Sequence, residues 1–258
     1  MGELAIIGHE AHVTLPLTRS ISIIIPAYNE EKRLPGTLRQ VICYLQRGVW
    51  SFTEVLVVDD GSTDGTVQVA RQLESEYAGL RVLRNPGNRG KGYAVRHGML
   101  ECRGEWALFS DADLSAPIEE LEKLWREAER TGAQIVVGSR ALDRRLIGVH
   151  QSWFRENAGR LFNLVMRLVT GLPLRDTQCG FKLFEAKAAR EIFRRQLLEG
   201  FGFDVEVLFI ARRLGYRTVE VPVEWNDVPG TKVSALRGLA AFLDPLLVRW
   251  NQIRGRYE

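Results

Sequence analysis

The chain has 258 residues, 45% apolar and 26% charged, with 35 lysines and arginines against 32 aspartates and glutamates. That composition is ordinary for a globular protein with a sizeable core, and a formal net charge of +3 gives no argument for a nucleic-acid partner. Cys43, Cys102 and Cys179 are widely spaced and odd in number, and His9, His12, His97 and His150 stand in no ligand spacing, so neither a disulfide framework nor a structural zinc site is expected.

Residues 1–19 read as an N-terminal extension. Ala5-Ile6-Ile7 is too short for the apolar region of a signal peptide, and Glu3 stands where positive charge is expected. No stretch reaches the ~18 uninterrupted apolar residues that span a bilayer. The expected location is therefore cytoplasmic, with a peripheral position on the cytoplasmic face of a membrane left open.

From Ile21 the chain alternates strand and helix. Ile21 to Ile25 predicts a buried strand ending at Pro26, and Glu30 to Gln46 a helix with Leu34, Leu38, Val41, Ile42 and Leu45 at helical spacing. Val55 to Val58 is the second strand. Thr63 or Asp64 then caps a helix running to about Tyr77. Further strands are expected at Leu80 to Leu83, Ala107 to Phe109 and Gln134 to Val137, with helices over Gly92 to Cys102 and Pro117 to Arg130. This alternation predicts an α/β fold, a mostly parallel sheet with helices on both faces.

Beyond Gly138 the pattern changes. Residues 139–175 carry seven arginines against Asp143 and Glu156. Within them Trp153 to Leu172 reads as an amphipathic helix. Phe181 to Phe184 is a short strand, Asp204 to Leu214 a helix and Thr218 to Trp225 a strand. Ala235 to Ile253 reads as a last amphipathic helix. One catalytic-sized domain over residues 20–234 and a C-terminal helix within 235–258 are expected.

Two strands end in acids: Val55 to Val58 runs into Asp59 and Asp60, and Ala107 to Phe109 runs through Ser110 into Asp111 and Asp113. In open α/β sheets ligands bind at the carboxyl ends of strands. Side chains at i and i+2 of an extended segment share a side, so Asp111 and Asp113 are expected to converge on one Mg²⁺ or Mn²⁺ carrying a nucleotide diphosphate. The alternative is that Asp113 only caps the following helix. The turn after the first strand, Pro26-Ala27-Tyr28-Asn29-Glu30, holds no glycine, which excludes the dinucleotide fingerprint. Gly87-Asn88-Arg89-Gly90-Lys91-Gly92 lacks P-loop spacing; it either presents backbone N–H groups and Lys91 to a diphosphate or is a flexible turn.

The segments Ile23-Ile24-Ile25-Pro26-Ala27-Tyr28-Asn29-Glu30-Glu31, Val57-Val58-Asp59-Asp60-Gly61-Ser62-Thr63-Asp64-Gly65-Thr66, Asn88-Arg89-Gly90-Lys91-Gly92 and Asp111-Ala112-Asp113 resemble glycosyltransferase family 2. Within it, Asp176-Thr177-Gln178-Cys179-Gly180-Phe181-Lys182-Leu183-Phe184, Phe203-Asp204-Val205-Glu206 and Val221-Pro222-Val223-Glu224-Trp225 are similar to the dolichyl-phosphate β-glucosyltransferases, relatives of dolichyl-phosphate mannose synthase.

The resemblance implies a GT-A (Rossmann-like) fold, a nucleotide-sugar donor, a divalent metal and inversion at the anomeric carbon. It implies UDP-glucose as donor and a polyprenyl or dolichyl phosphate as acceptor. Pro26, Ala27, Tyr28 and Glu30 would surround the nucleotide, and Asp59 or Asp60 would bond the base. Asp111 and Asp113, flanking Ala112, would hold the metal. Lys91, Gln178, Lys182 and Lys232 would meet phosphate or sugar, and Arg140 and Arg155 the lipid phosphate. Asp204 would be the general base if the acceptor were a hydroxyl, its other role being a helix cap.

Ser115 stands where the mannose synthases tend to have glutamine. Neither a Gln-x-x-Arg-Trp segment nor the several membrane spans of polymer synthases is expected here, nor the N-terminal anchor usual in eukaryotic members. The alternatives are the same donor chemistry on a soluble hydroxyl acceptor and a nucleotide-sugar binding module without catalysis; a nucleotidyltransferase is disfavoured by the glycine-free first turn.

Overall fold

Short runs of β-branched residues build the centre of the molecule. In the computed structural model, which describes residues 19–149, 166–228 and 243–258, β1 (Ser20–Ala27) and β2 (Phe52–Asp59) lie side by side. Ile21, Ile23 to Ile25 and Val55 to Val58 are fully buried, because helices cover both faces of these parallel strands. The chain continues through β3 (Leu80–Arg84), β4 (Trp106–Ser110), β5 (Ile135–Ser139), β6 (Ile147–Val149), β7 (Phe181–Glu185), β8 (Thr218–Pro222) and β9 (Trp225–Asn226). Seven of these strands form one sheet in the order β3-β2-β1-β4-β7-β5-β8, and β6 pairs with β9. β7 runs antiparallel to β4 and β5, and every other pairing is parallel.

The period-two alternation of each strand sorts the core into two layers. Ile23, Ile25, Val55, Val57 and Leu108 face α1 (Leu34–Arg47), α2 (Thr66–Glu76) and α4 (Leu121–Thr131). Ile24, Leu56, Val58 and Phe109 face α3 (Lys91–Glu101), α5 (Ala186–Arg195) and α6 (Phe203–Arg213), with Val248 of α7 (Asp244–Ile253) outside them. β2 and β4 flank β1, with β2 leading away to β3. That reversal of strand order opens the ligand crevice at the carboxyl ends of β1 and β4.

Several elements differ from the sequence expectation, β6 among them, for which no strand was predicted. The first helix starts at Leu34 rather than Glu30: the Arg33 and Leu34 amides both donate to the Glu30 carbonyl in a turn, and Pro35 favours a helix start there. Residues 118–120 form a 3₁₀ turn before α4. The strand expected over Thr218 to Trp225 breaks at Pro222, and Trp225 moves to the β6 ribbon. α5 was not foreseen. It follows β7 without a side-chain cap, and its buried face is largely small: Ala186, Ala188 and Ala189 with Ile192 and Phe193.

Of the expected Trp153 to Leu172 helix, only the end is described: residues 166–170 are helical and Gly171, at φ +68°, terminates it. Residues 1–18 and most of the first half of the Ala235 to Ile253 helix lie outside the described residues.

Candidate active site

The carboxyl ends of β1 and β2 are locked to each other. Ala27 is in register with Asp59, and the Asp60 amide donates to the Ala27 carbonyl at 2.9 Å. Asn29 sits in the left-handed region (φ 56°), where its amide donates to Ser62 Oγ and its Oδ1 accepts from the Thr63 amide. Gly61 (φ +75°) cannot be replaced cheaply, since a Cβ there would stand 2.5 Å from the Gly87 carbonyl carbon. Pro26, Tyr28 and Glu30 are half-buried along this edge and Ala27 is buried. Neither Thr63 nor Asp64 is the N-cap of α2: that position is Gly65, without a side-chain cap, and Asp64 stands one residue earlier with its Oδ1 accepting from the Thr66 amide at 3.0 Å.

The Glu30 carboxylate grips the Arg33 guanidinium at 2.7 and 2.8 Å. It therefore meets a neighbouring cation. Charge pairing three residues apart on one turn explains the choice.

Asp59 and Asp60 have different duties. Asp60 Oδ1 accepts from Asn85 Nδ2 and the Arg89 amide, and its Oδ2 from the Gly90 amide at 2.7 Å. Both oxygens organise the loop before α3. Asp59 Oδ1 accepts from the Ser62 amide at 3.2 Å; its buried Oδ2 makes no hydrogen bond among the described residues and lies 3.7 Å from Arg84 Nε.

The same bonds fix the loop from Gly87 to Gly92. The Arg89 and Gly90 amides point at Asp60, not at a diphosphate. The glycines instead admit the 198–200 loop: a Cβ on Gly90 would stand 2.5 Å from the Glu199 carbonyl oxygen, and one on Gly92 2.6 Å from that of Leu198. Arg89 also pairs with the Glu199 carboxylate.

Lys91 is the residue of that loop that enters the site. It opens α3 and its Nζ lies 2.6 Å from Asp111 Oδ1. Burial alone would lower its pKa, but Asp111 and Asp204 more than reverse this and hold it protonated. Asp111 and Asp113 do not stand on an extended strand, as their spacing had predicted. β4 ends at Ser110, and the Leu114 amide donates to the Asp111 carbonyl in a turn that puts Leu114 at φ 48°.

The turn still brings the two carboxyls together. Burial, then the charge of Asp111, raises the pKa of Asp113. Asp113 Oδ1 also accepts from the Ser115 amide at 3.0 Å, so it orders this turn as well as facing Asp111. Asp111 rests on Gly180, where an added methyl would overlap its Oδ2, and its amide donates to the Gly180 carbonyl.

Behind this pair lies a second one. Lys182 on β7 is buried, donates to the Cys179 carbonyl at 2.6 Å and is ion-paired with Asp204 at the start of α6. Neither of Asp204's expected roles is visible: its side chain caps no helix, and at 3% exposure it is closed off from solvent. Lys182 is likewise a buried partner of Asp204, not an open sugar contact. Burial raises the Asp204 pKa against the opposing pull of Lys182 and Lys91.

Arg140 lies on the other side of the site. Its Nε and Nη2 hold both oxygens of Asp176 at 2.7 and 2.9 Å, its amide donates to the same carboxylate, and its guanidinium stands 5.4 Å from the Trp225 ring centroid. This pairing holds the Asp176 carboxyl below its usual range despite burial. The Gln178 amide donates to Asp176 as well, so the segment from Asp176 to Gln178 is folded around Arg140. Arg155 and Lys232 lie outside the described residues.

Asp176, Gly180 and Glu220, whose carboxylate accepts from the Arg175 and Asp176 amides, had no role in the sequence reading. The first two stood inside a quoted motif; nothing local marked Glu220.

A divalent cation fits Asp111 and Asp113. No group of three or more acidic, histidine or cysteine side chains that could hold a metal occurs among the described residues. Two neighbouring carboxylates, one with its pKa raised by burial and then by the charge of the other, are nevertheless a partial shell of the kind that substrate phosphates complete.

The family model described as glycosyl transferase family 2 matches residues 22–193. A dolichyl-phosphate β-glucosyltransferase of Trichomonas vaginalis is 38% identical over 221 residues, covering 83% of this chain and 68% of its own. The Drosophila melanogaster protein of that name is 40% identical over 226 residues, covering 83% and 69%, and the Homo sapiens protein 38% over 254 residues, covering 93% and 78%. Among solved structures, mannosyl-3-phosphoglycerate synthase from Rubrobacter xylanophilus superposes with a TM-score of 0.66 at 20% identity, over 92% of this chain and 75% of that one. Glucosyl-3-phosphoglycerate synthase of M. tuberculosis, solved with Mn²⁺, UDP and glucosyl-3-phosphoglycerate, gives a TM-score of 0.60 at 22% identity, over 88% and 80%. The fold is GT-A.

Proposed function

The chain belongs to glycosyl transferase family 2, and we propose that it moves glucose from UDP-glucose to a polyprenyl phosphate, with inversion, at the cytoplasmic face of a membrane. The names of the relatives support glucose and a dolichyl-type phosphate. In this reading Pro26, Tyr28 and Asp59 border the nucleoside. Asp111 and Asp113 would hold Mg²⁺ or Mn²⁺, whose charge would offset that of the diphosphate, a reading that a GT-A neighbour solved with Mn²⁺ and UDP supports. Lys91, protonated beside Asp111, adds a fixed positive charge where the diphosphate leaves.

One observation favours a phosphate over a hydroxyl acceptor: Asp204, the expected base for a hydroxyl, is buried and held by Lys182. A hydroxyl must lose its proton as it attacks. A phosphate monoester is already anionic at neutral pH. Its oxygen forms the new bond to the anomeric carbon while the bond from that carbon to the diphosphate oxygen breaks. UDP leaves and no proton has to move.

Incubation with a panel of nucleotide sugars and a short polyprenyl phosphate, with and without Mn²⁺, tests this. The expected result is metal-dependent glucosylation of the phosphate from UDP-glucose. Transfer to soluble alcohols with none to the phosphate would overturn it.

A further inference from the structure

α7 is apolar on two opposite sides. Pro245, Val248 and Asn251 face inward as α7 packs against α6. On the outward side Leu246, Trp250 and Ile253 are 56, 51 and 79% exposed, with Leu243 and Leu247 beside them also exposed. Positions 243, 246, 247, 250 and 253 recur at helical spacing, so they form one crest. An isolated exposed leucine needs no explanation, whereas a contiguous apolar row does.

The flanks of the crest are cationic. Arg249 adjoins it, its guanidinium 5.8 Å from the Phe209 ring centroid of α6, and Arg254, just past the end of the helix, stands 4.6 Å from the Trp250 ring centroid. Arg256 follows. The acids of this segment are Asp244, whose carboxylate is turned inward to accept from the Gly202 amide, and Glu258 at the end. An apolar crest with a central tryptophan and flanking arginines matches the boundary between lipid acyl chains and anionic headgroups. It matches a second copy of the chain poorly, because a two-fold contact through this crest would bring the arginines of both copies together.

We propose that the outer face of α7 is a membrane-docking surface that inserts Leu246, Trp250 and Ile253 into an anionic leaflet. The proposal deepens the lipid-phosphate reading above and rests on it for the identity of the surface. The position of the helix fits that use. Asp244 holds Gly202, two residues before Asp204, and the Tyr257 hydroxyl donates to Glu206 Oε1 of α6 at 2.7 Å. Docking through α7 therefore brings the helix that carries Asp204 within one helix layer of the bilayer. An acceptor phosphate could reach the site while its polyisoprenoid chain stays in lipid.

Flotation with phosphatidylcholine–phosphatidylserine vesicles tests the surface without using catalysis. The chain is expected to float at low salt. Its binding should fall at least about tenfold in high salt and on vesicles of phosphatidylcholine alone. The double variant Leu246→Asp/Trp250→Asp should lose binding by a similar factor while keeping its melting temperature and UDP affinity, because both side chains point away from the core.

Failure of the unaltered chain to float overturns the proposal, as does flotation unchanged in the double variant. A dimer that this variant dissociates, seen by light scattering with no flotation, assigns the crest to self-association instead and also overturns it. Transfer to a short, water-dispersed polyprenyl phosphate, measured alongside, reports on the acceptor reading separately because it needs no bilayer.

Discussion

Lys182 on β7 and Asp204 at the start of α6 form an ion pair whose side chains are 1 and 4% exposed. It joins the antiparallel strand of the sheet to the helix behind the site. A buried pair adds little over a well-packed apolar one, but removing one partner strands the other charge and costs ~3–5 kcal/mol. Lys182→Met should therefore destabilise by about that amount in urea unfolding. The double variant Lys182→Met/Asp204→Leu should recover at least half of the loss. Near-native stability of Lys182→Met alone would show that Asp204 is satisfied without its partner.

Asp204→Asn separates the two acceptor chemistries. Asparagine keeps the size of the side chain and loses only charge and basicity. With a phosphate acceptor, turnover should stay within about tenfold of the parent once folding is matched. A hydroxyl acceptor relying on Asp204 as base would lose ~10²–10⁴-fold with nucleotide affinity intact. Steady-state rates beside UDP titration distinguish these outcomes.

Asp113→Asn should move activity and stability in opposite directions. Burial and the Asp111 charge hold the Asp113 carboxyl above its ordinary 3.8 in the folded chain. Between the ordinary and the raised value the folded state keeps a proton that the unfolded chain has shed. This group therefore favours folding at low pH, and the advantage is lost as pH rises through the raised value. At neutral pH the ionised Asp113 opposes folding, so the asparagine variant should melt higher than the parent without metal, and the gap should shrink on acidification. The same variant should lose several kcal/mol of transition-state stabilisation. Equal melting temperatures at every pH, or full turnover, would contradict this account.

Arg140→Lys should be costly although the charge is kept. Arg140 binds both oxygens of Asp176 and stacks on Trp225. A lysine ammonium cannot reproduce the planar fork. A stability loss of about 1–3 kcal/mol is expected from the weakened hydrogen bonds to a buried carboxylate. Because Asp176 also holds the Gln178 amide, acceptor affinity should fall more than UDP affinity.

The parts of this architecture that were legible in sequence are those with a strong local period or an abrupt change of polarity. A buried strand ending in Asp59 and another running through Ser110 towards Asp111 announced both the sheet and the edge where the site lies. Residue types pointed to chemistry without disclosing their partners. Asp60 had the same appearance as Asp59, yet a contact 25 residues away with Asn85 makes it a loop organiser. Lys182 and Asp204 are 22 residues apart and meet only because β7 reverses direction between β4 and β5. α5 escaped notice because a face lined with alanines carries little hydrophobic contrast.

Gly180→Ala isolates the role of the carboxylate pair from that of the fold. Gly180 lies outside the left-handed region, so alanine brings no backbone strain there. Its methyl group would, however, overlap Asp111 Oδ2, while the Asp111 amide remains tied to the Gly180 carbonyl. Either Asp111 turns away from Lys91 and Asp113 or the two backbones separate. Overpacking of this kind costs ~1–3 kcal/mol, and the displaced carboxylate should weaken Mn²⁺-dependent UDP binding by about tenfold or more. Gly87→Ala is the matched control: Gly87 has φ +86° and nothing within 4 Å of an added Cβ. It should lose ~1–2 kcal/mol through strain alone and leave UDP affinity unchanged. Calorimetric titration of UDP with Mn²⁺, run beside thermal melts of both variants, reads the two effects separately. Equal UDP affinity in Gly180→Ala and Gly87→Ala would show that the carboxylate pair does not depend on the space that Gly180 leaves.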